Sequence, residues 1–384
     1  METNRTVFSK LSVNYISMYI YLGVMTPFWG IWLKSKGLSA SEIGIVIAIP
    51  YLIKIIIAPL ISQAADQREE YRRPLIMCVL SSVIFSYFYF FIEGFWMLLA
   101  VTIAVNLTFP AIVPLMETIT VAQTTKHKLR YGRIRSFGSF SFIFAAILVG
   151  WLLRDQSANT ILYYAFGCLL VLLISVMSLP KGNKQNKYNK GIIRKSPILR
   201  LLGSRDFLWF LCVVGLLQAS HGVFYSMGSI YWQEKGLGEE IIGLLWAVGV
   251  IAEILFFVFG GGLVRKYRIS SIFAIIGFFG ALRWVLMATS ISLPIVFMAQ
   301  LFHGLTFGAS HLVAIEYIGQ KVSNENAGTA QSLYSSLPSG LGMGLATYAG
   351  GIIYENAAGD AYLAMAAMCF IAFMASILRF YRKK

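Results

Sequence analysis

Ionisable side chains in apolar surroundings are where this sequence can do chemistry. Glu117 lies inside one apolar run, and Arg135 enters another within Tyr131-Gly132-Arg133-Ile134-Arg135-Ser136-Phe137-Gly138. With a turn near His127, Glu117 stands about ten residues before it and Arg135 about eight after it, at matching depth for ~1.5 Å of rise per residue. A carboxylate and a guanidinium at one depth form a pair, and ionisable residues within a bilayer are functional candidates by default. The same counting places Glu253 about fourteen residues before a turn near Tyr267 and Arg283 about sixteen after it, both roughly 21–24 Å from that turn. Lys54 reaches a comparable depth. His221 and His303 fall near the centres of their runs, and His311 lies about two turns nearer the cytoplasm than His303. An isolated charge at such depth costs ~2.5–3.5 kcal/mol, so each needs a reason to stay. Two reasons are open: a fixed bridge between Glu253 and Arg283, or a substrate site lined by Lys54, Glu253 and Arg283. With neutral histidines these three sum to one positive charge, which favours an anion held by guanidinium or ammonium. A monocarboxylate fits that balance, and a neutral sugar fits better if Lys54 is paired or faces away.

The elements that carry these residues are apolar throughout. The chain has 384 residues, 58% hydrophobic and 13% charged, so its solvent is the bilayer. Runs of about 20 apolar residues recur as twelve candidate spans. Six lie near Leu11–Leu33, Ile43–Ala64, Pro74–Ile92, Trp96–Ala122, Ser136–Leu153 and Ile161–Leu179. Six more lie near Phe207–Trp232, Ile241–Val264, Ser271–Ser290, Pro294–Ile318, Gly328–Tyr354 and Ala361–Leu378. The first follows Arg5 and Lys10 but is too long for a signal peptide and lacks a small-residue cleavage site, so it reads as a retained helix. Cys78, Cys168, Cys212 and Cys369 all sit inside spans without metal-ligand spacing, which implies no metal site.

The formal charge of +15 does not point to nucleic acid, because its distribution follows the membrane. With both termini cytoplasmic, the only Lys and Arg outside are Lys34, Lys36, Arg154 and Lys235, while Lys54 and Arg283 lie within spans. The basic stretch 181–206 reads as a cytoplasmic linker against anionic headgroups. It separates a six-helix bundle at 1–180 from a second at 207–384. The halves match at an offset of 199, the separation of Lys36-Gly37-Leu38 from Lys235-Gly236-Leu237. In that register Ile43-Gly44 falls on Ile242-Gly243, Glu117 on Glu316, Lys54 on Glu253 and Asp66 on Arg265.

A parallel repeat of two six-helix halves is the plan of the major facilitator superfamily, which this chain resembles from end to end. Ser62-Gln63-Ala64-Ala65-Asp66-Gln67-Arg68 resembles that superfamily's Gly-x-x-x-Asp-Arg loop, with Ser62 in the glycine's place. Its repeat, Gly261 to Arg268, keeps the glycine and the basic residues but not the acid. The stretch at Tyr131 to Gly138 resembles the lactose-permease and nucleoside-symporter branches. A closer resemblance, to the phenylpropionate permease group, rests on Pro27-Phe28-Trp29, Trp32-Leu33-Lys34, Leu216-Leu217-Gln218 with His221, and Ile230-Tyr231-Trp232-Gln233. Ala252-Glu253, Arg283-Trp284, His303 and His311-Leu312 complete it.

The resemblance implies an all-α membrane protein of twelve transmembrane helices in two parallel, pseudo-repeated six-helix bundles, which rock about a central site. It implies a secondary transporter, not an enzyme: a proton-coupled symporter of a small organic anion such as phenylpropionate. Arg283, Lys54, His221, Gln218, Trp29 and Tyr225 would bind substrate, and Glu253 with His303 or His311 would carry the proton. Protonating Glu253 would free Arg283 for substrate. Glu117 and Arg135 would form a gating pair, with Glu316 and Asp66 as further gates. The proton gradient would replace any cofactor. The partners expected are a small-molecule substrate and the lipid bilayer, without nucleic acid, for a monomer in a bacterial inner membrane. The rivals are a sugar or nucleoside symporter, a drug exporter and, in other classes, a non-transporting sensor or a membrane-embedded enzyme.

Overall fold

The computed structural model describes residues 3–180 and 197–382, and among them every regular element is helical. This follows from the solvent: backbone groups in hydrocarbon must be satisfied within their own segment. Eleven helices among the described residues are long and apolar enough to cross a membrane. The last, Glu325–Tyr381, has 57 residues, about 85 Å of helix and far more than a ~30 Å hydrocarbon core needs. It turns at Ala358–Asp360, where Ala358 takes φ +46°, and so supplies two crossings. The described residues therefore hold twelve spans.

Packing divides the described residues into two units. The first holds 3–38, 52–180 and Gly238–Leu244. Its helices are α1 (Asn4–Ser35), most of α2 (Ala40–Arg68), α3 (Arg72–Tyr87), α4 (Phe95–Asn106), α5 (Ile112–His127), α6 (Tyr131–Leu153) and α7 (Asn159–Ser178). Helix α1 packs on α6 and α7. A side chain at Gly23 would meet Phe142 O at 2.7 Å, so only glycine admits α6 this closely. The buried Asn14 donates to Ser175 Oγ of α7 at 3.1 Å. Helix α5 ends at Lys128, whose left-handed φ of +51° turns the chain toward α6.

The second unit holds Ser39–Tyr51, 197–237 and 245–382. Its helices are α8 (Pro197–Leu202), α9 (Arg205–Ala219), α10 (Gly222–Glu234), most of α11 (Glu239–Phe259), α12 (Gly261–Lys266), α13 (Ile269–Thr289), α14 (Leu293–His303), α15 (Ser310–Lys321), α16 (Asn324–Ser336), α17 (Met343–Ala357) and α18 (Ala361–Arg382). Helix α13 lies along α18, where a side chain at Gly277 would stand 2.8 Å from Phe373 N.

The repeat is visible in local geometry. Gly37 after α1 and Gly236 after α10 occupy the same place in the 199 register and take φ +82° and +83°. Both close a helix end in the left-handed conformation that glycine adopts without strain. The fourth and tenth spans, each expected as one run, break at matching places. The fourth breaks around Pro110 in the turn Phe109–Ala111, and the tenth widens into a π-turn at Gly304–Ala309. The seventh span breaks at Ser220–His221 between α9 and α10. Of the expected linker, 181–196 lies outside the described residues.

Candidate functional site

The breaks in the seventh and tenth spans face one arginine. Arg283 of α13 is 0% exposed and carries a cluster drawn from three further helical segments. His221 stands at the α9–α10 break, Gln300 and His303 close α14, and Thr306 sits in the π-turn. Arg283 Nη1 donates to Thr306 Oγ1 at 2.9 Å and lies within hydrogen-bond reach of His221 Nε2 at 3.1 Å and His303 Nδ1 at 3.2 Å, so its two hydrogens are shared among three neighbours. Its Nη2 reaches Gln300 Oε1 at 3.5 Å. The guanidinium also lies over Trp284 and Phe224, 4.2 and 5.0 Å from the ring centres, where ring quadrupoles favour a cation.

A guanidinium can only donate, so both imidazole nitrogens facing it must accept. This assigns the tautomers. His221 carries its proton on Nδ1, which donates to Leu217 O at 3.1 Å and Gln218 O at 3.3 Å. His303 carries its proton on Nε2, the side turned toward Glu253 Oε2 at 3.9 Å. Glycines bring the acid there. A side chain at Gly304 would stand 3.0 Å from Glu253 N, and one at Gly308 3.2 Å from Glu253 Cγ, so α11 rests directly on the π-turn.

Glu253 and Arg283 both approach the His303 ring, one on each of its nitrogens. A fixed bridge is one of the two readings open for this pair, and the geometry shows an acid–imidazole–guanidinium chain. Gln218 buttresses it, its side-chain amide donating to Ser310 Oγ at 2.8 Å while its backbone carbonyl accepts from His221 Nδ1. The half-buried Tyr225 ring lies 6.2 Å from His221, 6.4 Å from His303 and 6.2 Å from Phe307. His311 is held elsewhere, sharing a 2.8 Å hydrogen bond with Tyr334. Gln300 and Thr306 were not expected, although the spacing Gln300-x-x-His303-x-x-Thr306 puts all three on one helix face.

In the first unit, Arg135 Nε approaches Glu117 Oε1 at 3.6 Å, and Tyr131 donates to Glu117 Oε2 at 2.6 Å. Arg135 also lies over the Tyr19 ring at 4.5 Å, and Tyr19 is seated in the notch left by Gly138. Lys54 is half-buried on α2, and Trp29 stacks on Trp32 with ring centres 4.5 Å apart. Asp66 is exposed and accepts from Tyr71 at 2.8 Å. Partial burial, with that hydrogen bond and the acids beside it, pushes the Tyr71 hydroxyl up to about 12. Glu316 accepts from Gln320 one turn on, at 2.9 Å. No group of three or more His, Cys, Asp or Glu suited to a metal occurs among the described residues.

Twelve helical crossings, duplicated halves and a buried charged relay beside broken helices define a multi-pass membrane transporter of the major facilitator fold. The chain belongs to the MFS_1 like family, whose pattern matches residues 8–364. It is 29% identical over 353 residues to a probable 3-phenylpropionic acid transporter of Escherichia coli (strain K12), covering 90% of each chain. To maltose permease of Geobacillus stearothermophilus it is 24% identical over 343 residues, 89% of this chain and 86% of that one. The crystal structure of nucleoside transporter NupG superposes with a TM-score of 0.86 over 97% of this chain and 99% of that one, at 15% identity. That likeness speaks for the fold.

Proposed function

We propose that this transporter carries a small organic anion, an aromatic monocarboxylate such as phenylpropionate, in symport with a proton by alternating access. The observation that carries the proposal is the chain Glu253–His303–Arg283, in which one imidazole is shared between an acid and a guanidinium. At rest, Arg283 occupies His303 Nδ1 and keeps a proton from binding there. A substrate carboxylate that draws the guanidinium onto itself frees Nδ1. A proton taken up at Nδ1 then makes an imidazolium whose Nε2–H already faces Glu253. Anion and proton each favour the other's binding, and the coupling is reciprocal. The coupling step thus passes through His303 in place of a release of Arg283 by Glu253 alone.

The aromatic rings of Phe224, Tyr225, Trp284 and Phe307 around the relay suit an aromatic ligand, as does the likeness to a probable 3-phenylpropionic acid transporter. Lys54, Trp29, Glu117 and Arg135 enter as substrate and gating residues on the sequence argument. On the same argument His311 enters as the alternative proton carrier, and Glu316 and Asp66 enter as possible gates. The same argument favours a monomer in a bacterial cytoplasmic membrane, with bundles at 1–180 and 207–384, both termini and the 181–206 linker inside. The proton gradient is its driving force, without a cofactor, and its partners are the solute and the surrounding lipid.

A second reading, symport of a sugar or nucleoside, draws on the complete burial of Arg283. Tyr225 and Glu253 are only half-buried and would then meet substrate hydroxyls. Uptake of labelled phenylpropionate and of a labelled disaccharide into proteoliposomes, with and without an inward proton gradient, separates the two. Gradient-driven accumulation of the acid above its entry into protein-free vesicles is expected. Accumulation of the sugar alone would transfer the relay to a neutral substrate, and no accumulation of either would refute symport of both classes.

A further inference from the structure

A second charged site lies at one end of the second unit, where α9 and α13 begin and α15 and α18 finish. These four ends enclose a cavity of about 460 Å³, within the range of small-molecule sites. Arg268, Lys321 and Arg379 line it against the single carboxylate Asp206. Asp206 is ion-paired with Arg379, so the lining keeps an excess of positive charge.

The cations are held in place. Arg379 lies 4.4 Å from the centre of the Trp209 ring, and the Trp209 indole is itself tied to Ala375 O at 3.2 Å. Arg268 lies 5.4 Å from the centre of Phe380. Stacking of this kind pre-orders the planar guanidinium, whose several N–H donors match the oxygens of a phosphate group. Ile269 and Ser270 line the same cavity at the first turn of the 21-residue α13, whose leading N–H groups have no intrahelical partner. Cavity, oriented guanidinium groups and helix start all favour one kind of ligand.

We propose that this cavity binds a phosphate-bearing anion of glycerol-phosphate chemistry. That chemistry comes either from an anionic phospholipid headgroup or from a soluble phosphate ester. The short helix α8, just before α9, exposes Ile198 and Leu199, with Leu199 74% exposed, and Arg200 follows them. An amphipathic surface of this kind beside the cavity suits a lipid whose acyl chains lie along the protein while its headgroup enters.

The test uses the purified full chain in neutral detergent. Thermal midpoint and native mass spectrometry are followed on titration with phosphatidylglycerol, phosphatidylcholine and sn-glycerol 3-phosphate. Saturable stabilisation by phosphatidylglycerol beyond that by phosphatidylcholine is expected. Binding should weaken roughly tenfold in Arg268→Gln/Lys321→Gln, the order expected for losing charge-assisted contacts. Stabilisation by glycerol 3-phosphate alone would assign the site to a soluble ester and keep the chemistry. Lys321→Gln, at an exposed position, supplies a folded second variant if the double substitution unfolds. Equal response to both lipids with none to glycerol 3-phosphate, or unchanged binding in the variants, would overturn the proposal. Neither residue belongs to the Arg283 relay, so failure here leaves the symport reading untouched.

Discussion

Replacing His303 with glutamine tests the relay most directly. Glutamine keeps an acceptor for Arg283 but cannot take up a proton. An imidazolium 3.2 Å from the Arg283 guanidinium would be repelled by on the order of 5 kcal/mol at an effective dielectric of ~20. A carboxylate about 4 Å from either cation attracts it by roughly 4 kcal/mol at the same dielectric. Glu253, 3.9 Å from His303 Nε2, attracts the same imidazolium by roughly 4 kcal/mol, so the protonated empty site is near balance and a bound anion tips it toward protonation. Measured couplings between sites are usually smaller, about 1–3 kcal/mol, or roughly 5- to 150-fold in affinity. The complex holds one more proton than its separated partners, so binding tightens as pH falls, by at most about tenfold per unit. Phenylpropionate, a carboxylate of ordinary acidity, stays ionised from about pH 6 to about pH 8, so its own titration adds little there. The assay is titration calorimetry across that range, in two buffers of different ionisation enthalpy, which counts the protons taken up. The wild-type protein is expected to take up close to one proton per substrate, and His303→Gln close to none with a flat pH profile. Full proton uptake in the variant would refute the assignment of His303, and none in the wild type would refute the coupling itself.

Glu253→Gln removes the acid facing the imidazolium, so gradient-driven accumulation should fall by at least about tenfold while exchange of labelled for unlabelled substrate persists. Loss of both activities together would make Glu253 a substrate ligand. Gly304→Ala puts a methyl group 2.5 Å from the Ala252 carbonyl carbon and should destabilise by about 1–3 kcal/mol, read as a lowered thermal midpoint. Gly319→Ala, with nothing within 4 Å of the added methyl, is the control and should match or exceed the wild type. In the first unit the Glu117–Arg135 pair is about one-third exposed on each side, so Glu117→Gln should change stability by no more than about 1 kcal/mol. A much larger drop would make that pair a structural anchor.

Much of the fold is legible because the bilayer imposes long apolar runs and glycine marks the turns. The shared offset of Lys36-Gly37-Leu38 and Lys235-Gly236-Leu237 predicts a duplicated turn, and the two glycines adopt nearly one dihedral. The breaks are less legible. Pro110 announces one, but the π-turn at Gly304–Ala309 carries no proline and shows only as glycines where α11 presses close.

Counting residues from a turn gives depth, which is why Glu117 meets Arg135 and why Glu253 and Arg283 share a level. It also accounts for His311, eight residues and so about 12 Å of helix beyond His303, where Tyr334 takes it. Depth does not give direction around the helix. Whether Arg283 looks into water or is sealed depends on His221 and Phe224 from the seventh span and on His303 from the tenth, which arrive from helical segments other than its own. That distinction decides the chemistry. An arginine open to the acid could be released by protonating Glu253 alone, whereas an arginine capped by His303 must leave the imidazole before a proton can enter. Under the proposed coupling, substrate capture comes first and protonation locks it.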